Sequence, residues 1–239
     1  MGQVLRDLVS IPPNVIAPSV RQARRLLEGS YRSVDDILIA AQELEKVRRT
    51  GNGSTKGRRA QREVDLLRAA LVFSSAGIDA SMRRLVNDAG RVLIRASGTG
   101  AHAQYREFLK QAIPAKSVDS GLRDVLLDME IEETILTYYL SQKTKASFQG
   151  SGDLKKRVVT VLGLPTSTLD QSIMDDLDEF FSARNEIVHQ MDFTEGLGSS
   201  VARQSRDIND VVEQCNSALG VAAELVNATV STLTKAGVR

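Results

Sequence analysis

Three polar residues that lie close together in the sequence, Arg184, Asn185 and His189, are of the types that carry out acid–base and phosphate chemistry. His189 is one of only two histidines in the chain, and an imidazole can accept and donate a proton near neutral pH. The guanidinium of Arg184 stays charged and matches the oxygens of a phosphate or a carboxylate. These residue types indicate a site that binds an anion and transfers protons.

The surrounding residues predict a helix, which determines where these side chains point. We expect residues 168–190 to be helical because apolar residues recur there at helical spacing. The apolar stripe comprises Ile173, Leu177, Phe180, Ile187, Val188 and Met191. Arg184 lies in the middle of this stripe and therefore needs a carboxylate, a phosphate or an interface that supplies acceptors. Asn185 and His189 lie one turn apart on an adjoining face.

Arg184 and His189 are five residues apart, which corresponds to a rotation of about 140° on an ideal helix. Spacing alone therefore does not place both side chains on one patch of one chain. Two arrangements would bring them together. The helix could distort near His189, or a symmetric dimer could place two copies of the helix face to face across a two-fold axis.

Two further residues outside this helix are of types that could contribute chemistry. Asp79 lies within a long apolar helix predicted for residues 59–96, and Arg83 follows four residues later, so an i,i+4 ion pair is the simplest explanation. An acidic group in an apolar helix can instead orient an active-site base or pair with a buried arginine. His102 lies at a predicted helix start, where we expect an exposed or capping role.

Helical periodicity extends over nearly the whole chain and no segment predicts a strand, so we expect an all-α fold with long antiparallel helices. The remaining predicted helices are residues 19–28, 34–49, 101–112, 120–141, 153–162 and 200–235. Ser33 is the predicted N-cap of the helix at 34–49. A Gly-rich loop at residues 51–58 divides the chain into an N-terminal helical extension, residues 1–50, and a main helical domain, residues 59–239.

The segment 184–189, Arg-Asn-Glu-Ile-Val-His, resembles the R-x4-H motif, with a polar residue after the arginine, of the HEPN superfamily of small all-α ribonucleases. The earlier segment 66–79 resembles the first long helix of one bacterial branch, RiboL-PSP-HEPN. The resemblance covers residues 59–235. It implies a metal-independent endoribonuclease that acts as a homodimer and serves as a toxin or an anti-phage defence effector.

The resemblance also implies a role for each motif residue. Arg184 would bind and polarise the scissile phosphate, and His189 would act in acid–base catalysis as the ribose 2′-OH attacks the adjacent phosphorus. Asn185 would position His189 or donate to the phosphate, with Asp79 and Glu186 as supporting residues. Many toxins of the superfamily carry a tyrosine two residues after the histidine. Methionine occupies that position here, which excludes silencing by modification of that tyrosine.

The charge around the motif is unfavourable for RNA, because residues 168–195 contain eight acidic residues and one basic residue, a net charge of −7. The positive field that attracts phosphates must then come from elsewhere. One candidate is a basic cluster of five residues: Lys143, Lys145, Lys155, Lys156 and Arg157. The other is residues 1–60, with a net charge of +5. That region could instead dock on the acidic helix and shield the site.

Composition excludes several other classes of protein. The chain has 239 residues, a net charge of +1, 42% hydrophobic and 26% charged residues, as in an ordinary globular protein. Aromatic residues make up only 4%, which argues against a stacking platform for single strands. The lone cysteine, Cys215, excludes internal disulfides, and with two histidines it leaves few ligands for a transition metal. We therefore expect no metal and no cofactor.

The sequence also leads to expectations about location and partners. No apolar run is long enough to span a membrane and the N-terminus lacks the pattern of a secretory signal, so we expect a cytoplasmic protein without membrane contact. The expected partners are an RNA substrate, a second copy of the chain, and a protein that neutralises or activates the enzyme. An unrestrained ribonuclease would kill its own host.

Two other hypotheses stay open. In the first, the chain is a non-catalytic helical binding or dimerisation module of a larger complex, and Arg184 forms a structural ion pair at an interface. In the second, the chain is an unrelated helical bundle, Arg184 pairs with an ordinary core carboxylate, and no dimer forms across this helix. A purely structural role leaves His189 without a purpose, which favours the ribonuclease.

Overall fold

The computed structural model of the protein describes residues 3–8, 17–52, 60–113, 118–126, 130–193 and 202–238. Over these ranges the fold is all-α, which confirms the prediction from helical periodicity. The one β-type pairing in the described ranges is an isolated bridge between Phe193 and Arg203. No described helix combines the length and apolar character needed to cross a membrane. Most of the predicted loop at 51–58 lies outside the described residues.

The two longest helices of the described residues are α1 (Pro18–Asn52) and α2 (Gln61–Arg95), with 35 residues each. They run antiparallel and stay in contact over most of their length. Arg48 near the end of α1 pairs with Glu63 at the start of α2, with 2.9 Å between nitrogen and oxygen. Towards the other end, the Ser81 hydroxyl of α2 donates to the carbonyl of Ala23.

Helix α1 is continuous, although the sequence predicts two helices, 19–28 and 34–49, with Ser33 as a cap. The difference arises from packing, which overrides the weak helix preference of Gly29 and its neighbours. Apolar residues on both sides of that point are buried in one core with α2: Val20, Ala23, Leu27, Val34, Leu38 and Ala41. The described part of the predicted N-terminal extension therefore shares the main hydrophobic core.

The remaining helices follow in chain order: α3 (Gly100–Ala112), α4 (Ser120–Leu126), α5 (Ile131–Thr144), α6 (Ser151–Leu154), α7 (Thr160–Leu162), α8 (Asp178–Gln190) and α9 (Ile208–Lys235). A π-helical turn, Lys155–Val159, joins α6 to α7, and a 3-10 helix, Gln171–Leu177, precedes α8. The helix expected at 200–235 begins later because Asp207 caps it, accepting from the backbone N–H of Asn209.

One close approach of the backbone requires glycine. Gly163 ends α7 in the left-handed conformation, with φ of 60°. It lies directly against Gly100 at the start of α3, and a Cβ atom at position 163 would overlap the backbone nitrogen of Ala101. This contact fixes the start of α3 against the end of α7.

We expect Gly163→Ala to lower the free energy of unfolding by roughly 2–4 kcal/mol, because left-handed strain adds to a steric clash. Gly98→Ala is the matched control, since Gly98 also has positive φ but has open space around its Cα. Strain alone should cost that variant about 1 kcal/mol. Urea unfolding followed by circular dichroism measures both. Equal losses would contradict the importance of the close contact.

Candidate active site

Helix α8 carries the three residues that the sequence singles out. Arg184 and Asn185 are half-buried, whereas His189 is exposed. The helix is regular from its first residue to Gln190. A rotation of about 140° therefore separates Arg184 from His189. A distorted helix was one of the two arrangements that would bring the two side chains together. The helix is not distorted up to its end, so this arrangement does not occur.

The side chains of the motif make few contacts within the described part of the chain. Arg184 donates from Nη1 to the Oδ1 atom of Asn185 at 2.7 Å. Within that part, neither Arg184 nor His189 pairs with a carboxylate. Among the residues that the structure describes, no carboxylate competes with an external group for the guanidinium or the imidazole.

Part of the predicted apolar stripe does not face the core. Val188 is 45% exposed and Met191 is 58% exposed, and neighbouring Phe193 is 44% exposed. The predicted stripe is wrong at Val188, because the buried face of α8 carries Ile187 and the two phenylalanines that precede Ser182 instead. Met191 leaves the stripe because the helix has already ended. Three exposed apolar residues, Val188, Met191 and Phe193, therefore lie within four positions of His189 in the sequence, and we call these three residues the apolar patch.

The turn that follows His189 has an unusual backbone. Met191 and Asp192 both have positive φ, 53° and 63°, although neither is glycine. Each such residue costs about 1–3 kcal/mol unless its surroundings hold it in place. The N–H of Asp192 donates to the carbonyl of Glu186 at 3.1 Å, which closes the end of α8. Strained residues of this kind cluster at functional sites.

Asp192 holds this turn in place. Its side chain is fully buried and accepts hydrogen bonds from two arginines, Arg68 on α2 at 2.8 Å and Arg206 before α9 at 2.6 Å. Burial alone would raise the pKa of the Asp192 carboxyl. The hydrogen bonds from Arg206 and Arg68 outweigh burial and hold that pKa below its usual range. Asp192 is therefore an anion that ties α8 to two other elements.

Further ion pairs extend this contact into a network, which we call the Asp192 network: Asp65, Arg68, Asp192, Arg203 and Arg206. Asp65 accepts from Arg68 at 2.8 Å and from Arg203 at 2.9 Å. Arg203 also donates to the carbonyl of Met191 at 2.9 Å. The network thus fixes the backbone on the C-terminal side of His189 against both α2 and the segment that leads into α9.

Sequence reasoning missed the Asp192 network, although one signal was present. Arg68 lies within the apolar stretch 66–73 and is 3% exposed, so it needs a buried acceptor. Asp192 is one of the eight acidic residues in the segment 168–195. Because two arginines from outside the helix neutralise it, the acidic surplus around α8 is smaller than the local count suggests.

Asp79, a candidate supporting residue, makes two contacts within the described residues. Arg83 donates to its Oδ2 atom at 2.7 Å, which confirms the i,i+4 ion pair. Its Oδ1 atom accepts the backbone N–H of Phe148 at 2.8 Å. Asp79 thus holds the segment that follows α5. Asp79 lies about 16 Å along α2 from Arg68, at a rise of 1.5 Å per residue. Glu186, the other supporting candidate, accepts from Arg206 at 3.3 Å.

The five predicted basic residues are not equally free to bind RNA. Arg157 donates to three backbone carbonyl groups within residues 143–147. Lys155 pairs with a carboxylate of the 3-10 helix. Lys145 and Lys156 are exposed.

Among the residues that the structure describes, no three His, Cys, Asp or Glu side chains lie close enough together to hold a metal ion.

Comparison with known proteins does not extend this description, because no family model, no curated protein and no solved structure matches the chain. The fold and the site define an all-α protein in which an exposed histidine precedes a strained turn. That turn is held by a buried carboxylate between two arginines.

Proposed function

We propose that the protein is an endoribonuclease that cleaves RNA without a metal ion, at a composite site formed by Arg184 and His189 from two copies of the chain. One observation carries the proposal. A regular helix presents an arginine, an asparagine and an exposed histidine with no competing carboxylate partner in the described ranges, beside an exposed apolar patch. The likeness of segment 184–189 to the HEPN motif supports the same reaction.

The chemistry requires only groups that these side chains contain. His189 accepts the proton of the ribose 2′-OH as the O2′–P bond forms. Arg184 stabilises the negative charge on the pentacoordinate phosphorus, and Asn185, which accepts from Arg184, holds the guanidinium in place. The P–O5′ bond then breaks, and the imidazolium formed on His189 returns its proton to the leaving 5′ oxygen. The products are a 2′,3′-cyclic phosphate and a 5′-OH.

A second copy of the chain supplies what one copy lacks. On one helix, Arg184 and His189 point about 140° apart, so a single copy does not aim both at one phosphate. The apolar patch beside His189 offers a surface that a two-fold partner would cover. Facing helices would then bring both pairs into one cleft. We further propose that the protein acts as a toxin or defence effector through this activity, and that a partner protein neutralises or activates it.

Cleavage of a mixed cellular RNA pool in the presence of EDTA tests the proposed reaction. We expect fragments that end in cyclic phosphate, detected by their resistance to ligation and to simple phosphatase until the cyclic ends are opened. Fragments with 3′-OH ends would contradict attack by the 2′-OH. Intact RNA at any concentration of the dimer would favour the non-catalytic dimerisation module, which the apolar patch also supports.

The dimer can be tested by placing a charge in the patch. We expect Met191→Asp to shift the protein from dimer to monomer and to reduce cleavage at least about tenfold, because an unpaired carboxylate would be buried at the interface. Sedimentation velocity measures the oligomeric state. Val47→Asp is the matched control, since Val47 is an exposed apolar residue on α1 (65% exposed). A dimer that persists in Met191→Asp would exclude this interface.

A further inference from the structure

The segment 3–8, which we call the arm, forms neither helix nor strand but lies in a defined groove. The side chain of Leu5 is 3% exposed and belongs to the main hydrophobic core. Leu8 lines a cavity of about 230 Å³ together with Leu27 of α1 and Val226 of α9. The arm therefore packs along the groove between α1 and α9.

Asp35 of α1 forms the polar centre of this groove. The backbone N–H groups of Val4 and Leu5 both donate to its Oδ1 atom, each at 2.8 Å. Asp35 is 9% exposed, and a buried carboxylate is costly unless donors surround it. One turn earlier on α1, the hydroxyl of Tyr31 donates to the carbonyl of Leu5 at 3.4 Å. The α1 wall thus binds the backbone of the arm on both sides of its buried leucine.

Helix α9 supplies the other wall. The backbone N–H of Arg6 donates to Oδ1 of Asn216 at 2.9 Å, and its guanidinium pairs with Glu213 at 2.6 Å. These two acceptors and Asp35 come from the groove, whereas the arm supplies the donors. The peptide that fits the groove is therefore extended and carries an apolar residue followed by an arginine.

The arm also holds together by itself. The side-chain amide of Gln3 donates to the carbonyl of Leu5 at 2.6 Å and to Oδ1 of Asp7 at 2.9 Å. Both bonds stay with the arm when it leaves the groove. Eight residues, 9–16, connect the arm to Ala17. Since every copy of the chain has the same arm and the same groove, an exchange between copies replaces each contact with an identical one.

We propose that the groove between α1 and α9 docks the arm of a second copy of the chain, so that two copies exchange their arms. Exchange of an identical element is a low-cost route to a dimer because no contact is lost. The second copy is the occupant whose fit the contacts of the arm demonstrate. This interface shares no residue with the proposed contact at α8, and it does not depend on cleavage of RNA.

Binding of a fluorescently labelled peptide with the sequence of residues 3–8 tests the groove in the full chain. Leu5→Asp displaces the chain's own arm and leaves both walls intact. We expect this variant to bind the peptide at least about tenfold more tightly than the wild type, whose own arm competes at a roughly millimolar effective concentration. Adding Asp35→Ala should weaken binding at least about tenfold, because two N–H groups lose a charged acceptor. Asp36→Ala is the matched control, since Asp36 is an exposed acidic neighbour on α1.

Mixing two variants tests the exchange itself. The Leu5→Asp chain has an intact groove, and the Asp35→Ala chain has an intact arm. Both also carry Met191→Asp, so that the proposed contact at α8 does not contribute. We expect heterodimers to outnumber both homodimers in native mass spectrometry, because only the mixture joins an intact arm to an intact groove.

Circular dichroism melting verifies that each variant is folded, and Leu5→Ala is the milder replacement if Leu5→Asp unfolds. A folded variant with a displaced arm that does not bind the peptide would exclude the groove as a docking site. Equal binding with and without Asp35→Ala would place the peptide elsewhere on the protein. Peptide binding without heterodimers would overturn the exchange and restrict the arm to its own chain.

Discussion

Replacing His189 with alanine should lower the rate of RNA cleavage at least about 100-fold, since general acid–base catalysis contributes typically 10²–10⁴-fold. Arg184→Ala should cost about 10²–10³-fold, because the charge that develops on the phosphorus loses its positive partner. Initial rates on a fluorogenic RNA with EDTA present measure both effects. Gln190→Ala is the matched control, since Gln190 is an exposed neighbour of His189 on the same helix.

Mixing the two inactive variants tests whether the site is composite. A mixed dimer of Arg184→Ala and His189→Ala contains one intact arginine and one intact histidine on different chains. If these residues meet across the two-fold axis, subunit exchange restores part of the activity. Cleavage activity that does not rise in proportion to the fraction of mixed dimer would contradict the composite site. Equal cleavage by the wild type and both variants would mean that another site, or a contaminant, cleaves the RNA.

The second large effect concerns stability. We expect Asp192→Asn to lower the free energy of unfolding by about 3–5 kcal/mol, because it leaves Arg68 and Arg206 buried without their shared anion. Asp88→Asn is the control. It breaks the Arg84–Asp88 pair, which has an exposed arginine, and an exposed pair contributes about 0–1 kcal/mol. Urea unfolding at pH 7 compares the two variants. A smaller loss of unfolding free energy in Asp192→Asn than in Asp88→Asn would contradict the role of the network.

The pH dependence of stability offers an independent measurement of the same carboxylate. The pKa of Asp192 is lower in the folded protein than in the unfolded chain, where an aspartate has a pKa of about 3.9. Its contribution is therefore fully present above that value and is lost as the pH falls through the lower, folded pKa. The difference in unfolding free energy between wild type and Asp192→Asn should shrink below about pH 4.

The Asp192 network also connects stability to the proposed chemistry. It holds two residues with positive φ directly after His189, and such backbone strain persists only where the surroundings enforce it. Loss of Asp192 should therefore reduce cleavage even under conditions in which the variant remains folded. In the proposed reaction Asp192 is a positioning residue, because it acts through the backbone of the turn. The variant should have a lower kcat, while the pH profile of cleavage keeps the shape of the wild-type profile.

Helix positions were largely predictable because they depend on local spacing. Helix α2 was expected at residues 59–96 and occupies Gln61–Arg95. The ion pair of Asp79 with Arg83 was predicted equally well, since residues four apart on a helix are neighbours whatever the fold. Where packing between distant elements overrides local preference, prediction failed. Helix α1 continues through Gly29 and Ser33 because its apolar face lies against α2 on both sides of them.

The sequence by itself determined that the protein is all-α, where most of its helices lie, and which arginine, asparagine and histidine share one helix. Tertiary structure alone decided that Val188 and Met191 are exposed and that Asp192 is a buried anion. It also decided that His102 lines a cavity between α2, α3 and α5. The physical reason is the range of the interactions. Periodicity reports on neighbours a few residues apart, whereas Arg68 reaches Asp192 across 124 positions, and only the packed chain brings them together.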